Sequence, residues 1–270
     1  MTRFLHITDL HLTAPETQDP GQQTDTAAAL DQVIVHAQQL EPRPDFIIAS
    51  GDLTNIGDAA SYALLAKKMG QLDMPVIYAL GNHDSRAGFH TAFPGYAGAP
   101  DGPLDHDIVV AGQHVIVLDT SLPGLVSGGF EDGQLDFLAM ALERHSDLPK
   151  ILVIHHPPAT GPESQHSWAQ INPADSVLLA EAVENYQIGM IFCGHIHLNR
   201  VSQWHGVPVI SAIGLQSTVS PDRSGGLHIT EGTAIGVCDI RPTGIDVVFV
   251  PLTQGQTIKV IGPDLLKGLR

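Results

Sequence analysis

The stretch Phe4-Leu5-His6-Ile7-Thr8-Asp9-Leu10-His11 decides the reading of this chain. A short apolar run of strand length stops at an aspartate and a histidine spaced two apart. The same pattern recurs four more times. Phe46–Ser50 runs into Gly51-Asp52, and Val76–Leu80 into Gly81-Asn82-His83-Asp84. Ile151–Ile154 runs into His155-His156-Pro157-Pro158, and Gly189–Cys193 into Gly194-His195-Ile196-His197. Apolar runs of four to six residues bounded by turn residues read as buried strands. Between them lie segments with helical spacing. Thr24–Leu40 places Leu30, Val33, Ile34 and Ala37 on one face, and Asp58–Gly70, Asp132–His145 and Ala174–Tyr186 follow the same rule. Strands alternating with helices predict an α/β domain with ligands gathered outside the carboxyl ends of the strands.

Working outward, Ile108–Ala111 and His114–Asp119 flank Gly112-Gln113 as a hairpin. From Arg200 onward the pattern changes to short β runs: Val201–Trp204, Val207–Ile210, Thr233–Asp239 and Ile245–Pro251. Ser85–Leu104, Ser121–Glu131 and Pro157–Asn172 read as long loops rimming a site. No repeat, linker or low-complexity tract divides the 270 residues, so a single domain over 1–270 is expected.

Composition narrows the chemistry. The 13 Lys+Arg stand against 29 Asp+Glu, a net charge of −16, which opposes duplex nucleic acid or an anionic membrane as the main partner. No apolar run approaches the ~18 residues of a membrane span. Asp9 and His11 interrupt any leader-like apolar region, so a cytoplasmic protein is expected. Cys193 and Cys238 are the only cysteines, too few for a disulfide framework or a thiolate zinc site. Fifteen histidines are unusual beside that charge count and favour a metal site with nitrogen and oxygen ligands.

The strand-end donors are Asp9, His11, Asp52, Asn82, His155, His195 and His197. Side chains two apart on extended backbone point the same way, so Asp9/His11 and His195/His197 can each offer two ligands to one place. Seven donors exceed one tetrahedral ion. They suit two ions about 3.5–4 Å apart with a shared carboxylate. A thiolate-free N/O set suits manganese, iron (Fe²⁺ or Fe³⁺) or zinc.

These five blocks, in order D-x-H, G-D, G-N-H-D, H and G-H-x-H, resemble the calcineurin-like metallophosphoesterase superfamily. The resemblance covers Asp9 to His197. Gly51-Asp52-Leu53-Thr54-Asn55 and His155-His156-Pro157-Pro158 are similar to its bacterial branch of cyclic-nucleotide phosphodiesterases and glycerophosphodiesterases. Phosphoprotein phosphatases of the superfamily carry an aspartate followed by Arg-Gly where this chain has Asn55, Ile56 and Gly57, a departure that speaks against protein-phosphatase activity.

The resemblance implies a four-layer αββα sandwich of two mixed β-sheets. Residues 1–199 would carry the ligands, and the β-rich part 200–270 would complete the second sheet and the rim. It also implies a division of ligands: Asp9, His11, Asp52 and His197 for one ion, Asp52, Asn82, His155 and His195 for the other, with Asp52 bridging.

Asn82, His83 and His197 would face the phosphate. His83 is the candidate proton donor to the leaving group, oriented by Asp84. His156 would sit behind the ligands or at the rim, Arg86, Arg223 and Trp168 are rim candidates, and His6 and Cys193 read as core residues. The implied reaction is in-line attack by metal-activated water on a small phosphodiester, either a 3′,5′-cyclic nucleotide or a glycerophosphodiester. The competing readings are a phosphomonoesterase or nucleotidase on the same metals, and a non-catalytic scaffold. A homodimer or higher homo-oligomer is expected, because the C-terminal strands leave a sheet edge that needs cover.

Overall fold

The computed structural model describes residues 1–17, 19, 24–160, 169–220 and 228–252. Three βα steps come first: β1 (Thr2–Ile7), α1 (Thr26–Gln39), β2 (Phe46–Ser50), α2 (Ala59–Met69), β3 (Val76–Ala79) and α3 (Arg86–Ala92). Then follow β4 (His106–Val110), β5 (Gln113–Val117), α4 (Gln134–Glu143), β6 (Lys150–Val153), α5 (Pro173–Val183) and β7 (Ile188–Cys193). The C-terminal part holds β8 (Arg200–Trp204), β9 (Val207–Ser211), β10 (Thr218–Ser220), β11 (His228–Thr230), β12 (Ala234–Arg241) and β13 (Gly244–Pro251).

Two mixed sheets form, in the orders β13-β12-β1-β2-β3 and β4-β5-β6-β7-β9-β8. β1, β2 and β3 run parallel, as do β5, β6, β7 and β9, so all five ligand-bearing strands end in the shared direction of their parallel sets. The core has three apolar layers. α1, α2 and α3 bury Leu30, Val33, Tyr62, Leu65 and Phe89 on one face of the first sheet. α4 and α5 bury Leu138, Leu142 and Leu179 on the second sheet. Phe4, Phe46, Ile48, Val117, Val153 and Phe192 fill the space between the sheets. This is the αββα sandwich that the resemblance implies.

Local chemistry sets the helix starts. The carboxylates of Asp25 and Asp58 and the amide oxygen of Asn172 each accept from a backbone N–H three residues on, and Pro173 occupies the first turn of α5. The 106–117 hairpin turns through Ala111 and Gly112, both at positive φ, as a two-residue turn between right-twisted strands demands.

Three expectations change. Ser85–Leu104 is not loop throughout: Ser85 caps α3, and Phe89 sinks fully between Tyr62 and Tyr78. Seven residues are too few for a helical period to stand out. The β10–β11 hairpin, pairing Val219 with Ile229, was not expected either. Finally, the C-terminal part supplies strands to both sheets. β8 and β9 join the six-stranded sheet, whereas β12 pairs with β1 and carries β13. The guanidinium of Arg3 grips Asp239 at 2.6 and 2.7 Å across that β1–β12 seam.

Candidate metal centre

The strands deliver the expected residues to one place, but not on extended backbone. Asp9 (φ 46°), His11 (41°), Asp52 (50°), His195 (69°) and His197 (48°) all lie in the left-handed region. This corrects the alternation argument for Asp9/His11 and His195/His197. The chain leaves each strand and kinks, so the side chain turns back across the sheet end. For residues other than glycine that conformation costs roughly 1–2 kcal/mol each. Dense hydrogen bonding offsets it. Asp9 N–H donates to Gly51 O (3.0 Å) and His11 N–H to Asp52 O (2.9 Å). His195 N–H donates to the Asp9 carboxylate (3.0 Å) and His83 N–H to Asp52 Oδ1 (2.9 Å).

Imidazole orientation follows one rule. His197 Nδ1–H donates to Ser217 O (3.0 Å), His155 Nδ1–H to Ser50 O (2.8 Å) and His11 Nδ1–H to the Asn55 amide oxygen (2.8 Å). In each case the acceptor is an oxygen without a proton, so the ring is held with Nε2 turned inward. His11 Nε2 then lies 3.2 Å from His197 Nε2 and 3.6 Å from Asp52 Oδ2, and His197 Nε2 lies 3.4 Å from Asp9 Oδ1. His155 Nε2 lies 3.3 Å from the same Asp52 Oδ2. Asp52 thus sits between a His11–His197–Asp9 group and a His155 group. His195 joins the latter, its ring 5.2 Å from that of His155.

Electrostatics separates the two groups. Burial drives His11 down to about 3, with Asp52 only partly opposing it. Burial also disfavours a charged His155, but Asp52 and then Asp9 outweigh it and push His155 up to about 9. Asp52 is costly to bury as a carboxylate, yet His155 holds it well below the usual range.

Two inward Nε2 atoms at 3.2 Å need a proton or a cation between them, and His11 is a poor proton holder. Asn82 Oδ1 and His155 Nε2 are buried without a hydrogen-bond partner. Clustered carboxylates, inward imidazoles and buried polar atoms without a hydrogen-bond partner fit divalent cations with N/O ligands. Gly81 marks the closeness of the packing: a Cβ there would lie 2.2 Å from Asp52 Oδ1 and 2.7 Å from His155 Nε2.

The remaining candidates divide. His83 is exposed and sits edge-on to the His11 ring at 4.6 Å, its Nδ1–H donating to Asn55 O (2.7 Å). Asp84 does not orient it. The Asp84 carboxylate is taken by the backbone N–H groups of Leu53, Thr54 and Gly81 and by the Tyr62 hydroxyl. Burial, with Asp52 nearby, raises Asp84 to about 6. Asp84 therefore ties the Gly51–Thr54 turn to the 81–84 turn.

Of the two places expected for it, His156 takes the one behind His155 and His195, fully buried, and not the rim. Its Nε2–H donates to Val126 O (3.1 Å), Thr120 Oγ1 bonds Nδ1 (2.9 Å), and the ring stands 4.3 Å from that of His195. Arg86 is locked to Asp119 (2.9 Å), Glu131 (2.8 Å) and Ser121 O, so its charge is spent away from the candidate ligands. Trp168 and Arg223 lie outside the described residues. His6 and Cys193 are buried core groups, as expected. Asn55, Ser217 and Thr120 were missed as braces. Asn55 stood in a quoted motif, but nothing in the sequence signalled that His11 and His83 both lean on it.

The profile of the family described as calcineurin-like phosphoesterase matches residues 2–199. A probable cyclic nucleotide phosphodiesterase of Rhodococcus erythropolis is 33 % identical over 211 residues, spanning 76 % of this chain and 68 % of that protein. A probable glycerophosphodiester phosphodiesterase of Arcobacter nitrofigilis is 30 % identical over 203 residues, 73 % of each. Among solved structures, a dimetal phosphatase from Danio rerio shares the fold with a TM-score of 0.65 at 14 % identity, covering 93 % of this chain and 99 % of that one.

Proposed function

The chain belongs to the calcineurin-like phosphoesterase family, and on that premise we propose that it is a binuclear metal-dependent phosphodiesterase acting on small phosphodiesters of the 3′,5′-cyclic nucleotide or glycerophosphodiester type. The observation that carries the proposal is Asp52 Oδ2, 3.6 Å from His11 Nε2 and 3.3 Å from His155 Nε2, with a separate ligand set on either side. Asp9, His11, Asp52 and His197 would hold one ion, and Asp52, Asn82, His155 and His195 the other. Manganese, iron or zinc, so held, would lower the pKa of a bound water and offset charge on the phosphoryl oxygens.

The chain's own residues do the rest. Hydrogen bonds to Ser217 O, Ser50 O and Asn55 keep three imidazoles in the ligating tautomer. His83 is exposed at the mouth of the site, and its Nδ1–H is fixed on Asn55 O. Nε2 is therefore the nitrogen that would hand a proton to the departing alkoxide. Arg86, the arginine nearest in sequence to His83, is consumed by Asp119 and Glu131. A dianionic monoester gains nothing from it, which favours a monoanionic diester over the monoesterase reading. A complete donor set opposes the non-catalytic reading. Cys193 and Cys238 are buried free thiols, in keeping with a cytoplasmic setting. Among the described residues β13 stands at the edge of its sheet, as a homodimer or higher homo-oligomer would use it.

The test is a panel of bis-p-nitrophenyl phosphate, p-nitrophenyl phosphate, cyclic AMP and glycerophosphocholine with Mn²⁺. Diesters should give the higher kcat/KM, and a reversed preference on the matched p-nitrophenyl pair would move the reading to a monoesterase. His83→Ala should keep its metal yet lose on the order of 10²–10⁴ in rate with an alkoxide leaving group. It should lose far less with p-nitrophenolate. Equal losses on both would remove the acid role.

A further inference from the structure

Asn55 touches both His11 and His83. Its amide Oδ1 accepts from His11 Nδ1–H at 2.8 Å and from Gln216 Nε2 at 3.4 Å. Its Nδ2 donates to the carboxylate of Asp19. Its main-chain oxygen accepts from His83 Nδ1–H at 2.7 Å, and its main-chain N–H donates to Leu12 O at 3.2 Å. A carboxylate can only accept, so Asp19 settles which end of the amide is nitrogen. The oxygen must then face His11. That places the His11 proton on Nδ1 and turns Nε2 toward His197 and Asp52.

We infer that Asn55 is the positioning residue of the His11 side of the site, with Asp19 orienting the amide, the amide setting the tautomer of His11, and the main chain setting that of His83. The inference rests on the metal-site reading above and adds to it a reason for asparagine at this position. An aspartate could accept from His11 equally well. It would, however, confront the Asp19 carboxylate with no proton between them, and the like charges would repel. Asparagine is the residue that donates one way and accepts the other. Exchanging the two residues should restore the relay with its direction of donation reversed at one step, because an amide at position 19 can donate to a carboxylate at position 55.

The experiment is Mn²⁺ titration of metal-free protein by calorimetry, with melting of each metal-free variant confirming that it is folded. His11→Ala identifies the binding step that belongs to its subsite. Asn55→Ala should weaken that step by roughly 10–100-fold, the range for lost outer-shell partners of ligating histidines. Asn55→Asp, nearly isosteric, should weaken it to a similar degree, and Asn55→Asp/Asp19→Asn should return it to the wild-type value. Asn55→Ala keeps its main-chain carbonyl, so its rate ratio between cyclic AMP and bis-p-nitrophenyl phosphate should stay at the wild-type value, in contrast to His83→Ala. Unchanged Mn²⁺ affinity in both single variants, or a double variant no better than Asn55→Asp, overturns the inference while His11→Ala still upholds the metal site. If His11→Ala also binds Mn²⁺ like the wild type, the metal-site reading itself falls, and the inference with it.

Discussion

The His11–His197 side of the site and the His155–His195 side are held by different kinds of partner. On the first, His11 leans on a side-chain amide and His197 on the carbonyl of Ser217, outside the sheets' strands. The His197 side chain keeps 14 % exposure. On the second, His155 leans on Ser50 O at the end of a strand whose five residues are all buried. His156 packs behind it, fixed through both ring nitrogens. The open side is held by loops, which small changes in side-chain chemistry can loosen. The deep side is held by sheet backbone and tight packing, and yields only when the core is disturbed.

The strongest way to break this contrast is Asp52→Ala, since Asp52 faces both sides. Wild-type protein loaded with Mn²⁺ should approach two ions per chain by metal analysis, and the variant should lose activity and fall well below that. A variant that retains one ion, with wild-type protein also holding one, would end the two-ion picture. Next is His156→Ala. Loss of the pillar should weaken Mn²⁺ binding on the deep side by roughly 10–100-fold and leave the step removed by His11→Ala unaltered. Equal weakening of both steps would erase the distinction between the two sides.

Proton release sharpens the same comparison. His155, held up at about 9 in the metal-free protein, carries a proton that an ion must expel, whereas His11, driven down to about 3, does not. Below about pH 9, deep-side affinity should therefore rise close to tenfold per pH unit, and His11 should add no such dependence to the open side. Titrations at pH 7 and pH 8 in buffers of different ionisation enthalpy would measure both.

The smallest effect concerns His6, which lies beneath the deep side and bonds Ser50 Oγ at 2.8 Å. Burial lowers it to about 3. The unfolded chain takes up its proton near pH 6.5 and the folded chain does not, so its stabilising contribution is whole above 6.5 and shrinks as pH falls toward 3. Each pH unit in that window costs up to about 1.4 kcal/mol. His6→Gln should flatten the decline in urea midpoint between pH 7 and pH 4.

The apolar runs ending at Asp9, Asp52, Asn82, His155 and His195 announced both the strands and the candidate ligands that gather at their ends, because a buried strand and a polar strand end are each local patterns. The α3 helix and the β10–β11 hairpin were too short to show a period. The division of the C-terminal strands between two sheets was invisible for a different reason: nothing local to Ala234–Arg241 says that its partner is Thr2–Ile7, more than two hundred residues away.

Sequence by itself determined which residue types could ligate, that they terminate strands, and that they outnumber what one ion needs. Tertiary structure decided how they point. Five of the candidate ligands turn inward through left-handed backbone that no pattern of side chains encodes. Asp84 and Arg86, one and three residues beyond His83 along the chain, were drawn away by Tyr62 and Asp119. Asn55, twenty-eight residues from His83, came to hold it. A buried polar group takes whichever partner folding brings within hydrogen-bonding distance, and for these residues that partner is set by the meeting of loops from separate strands.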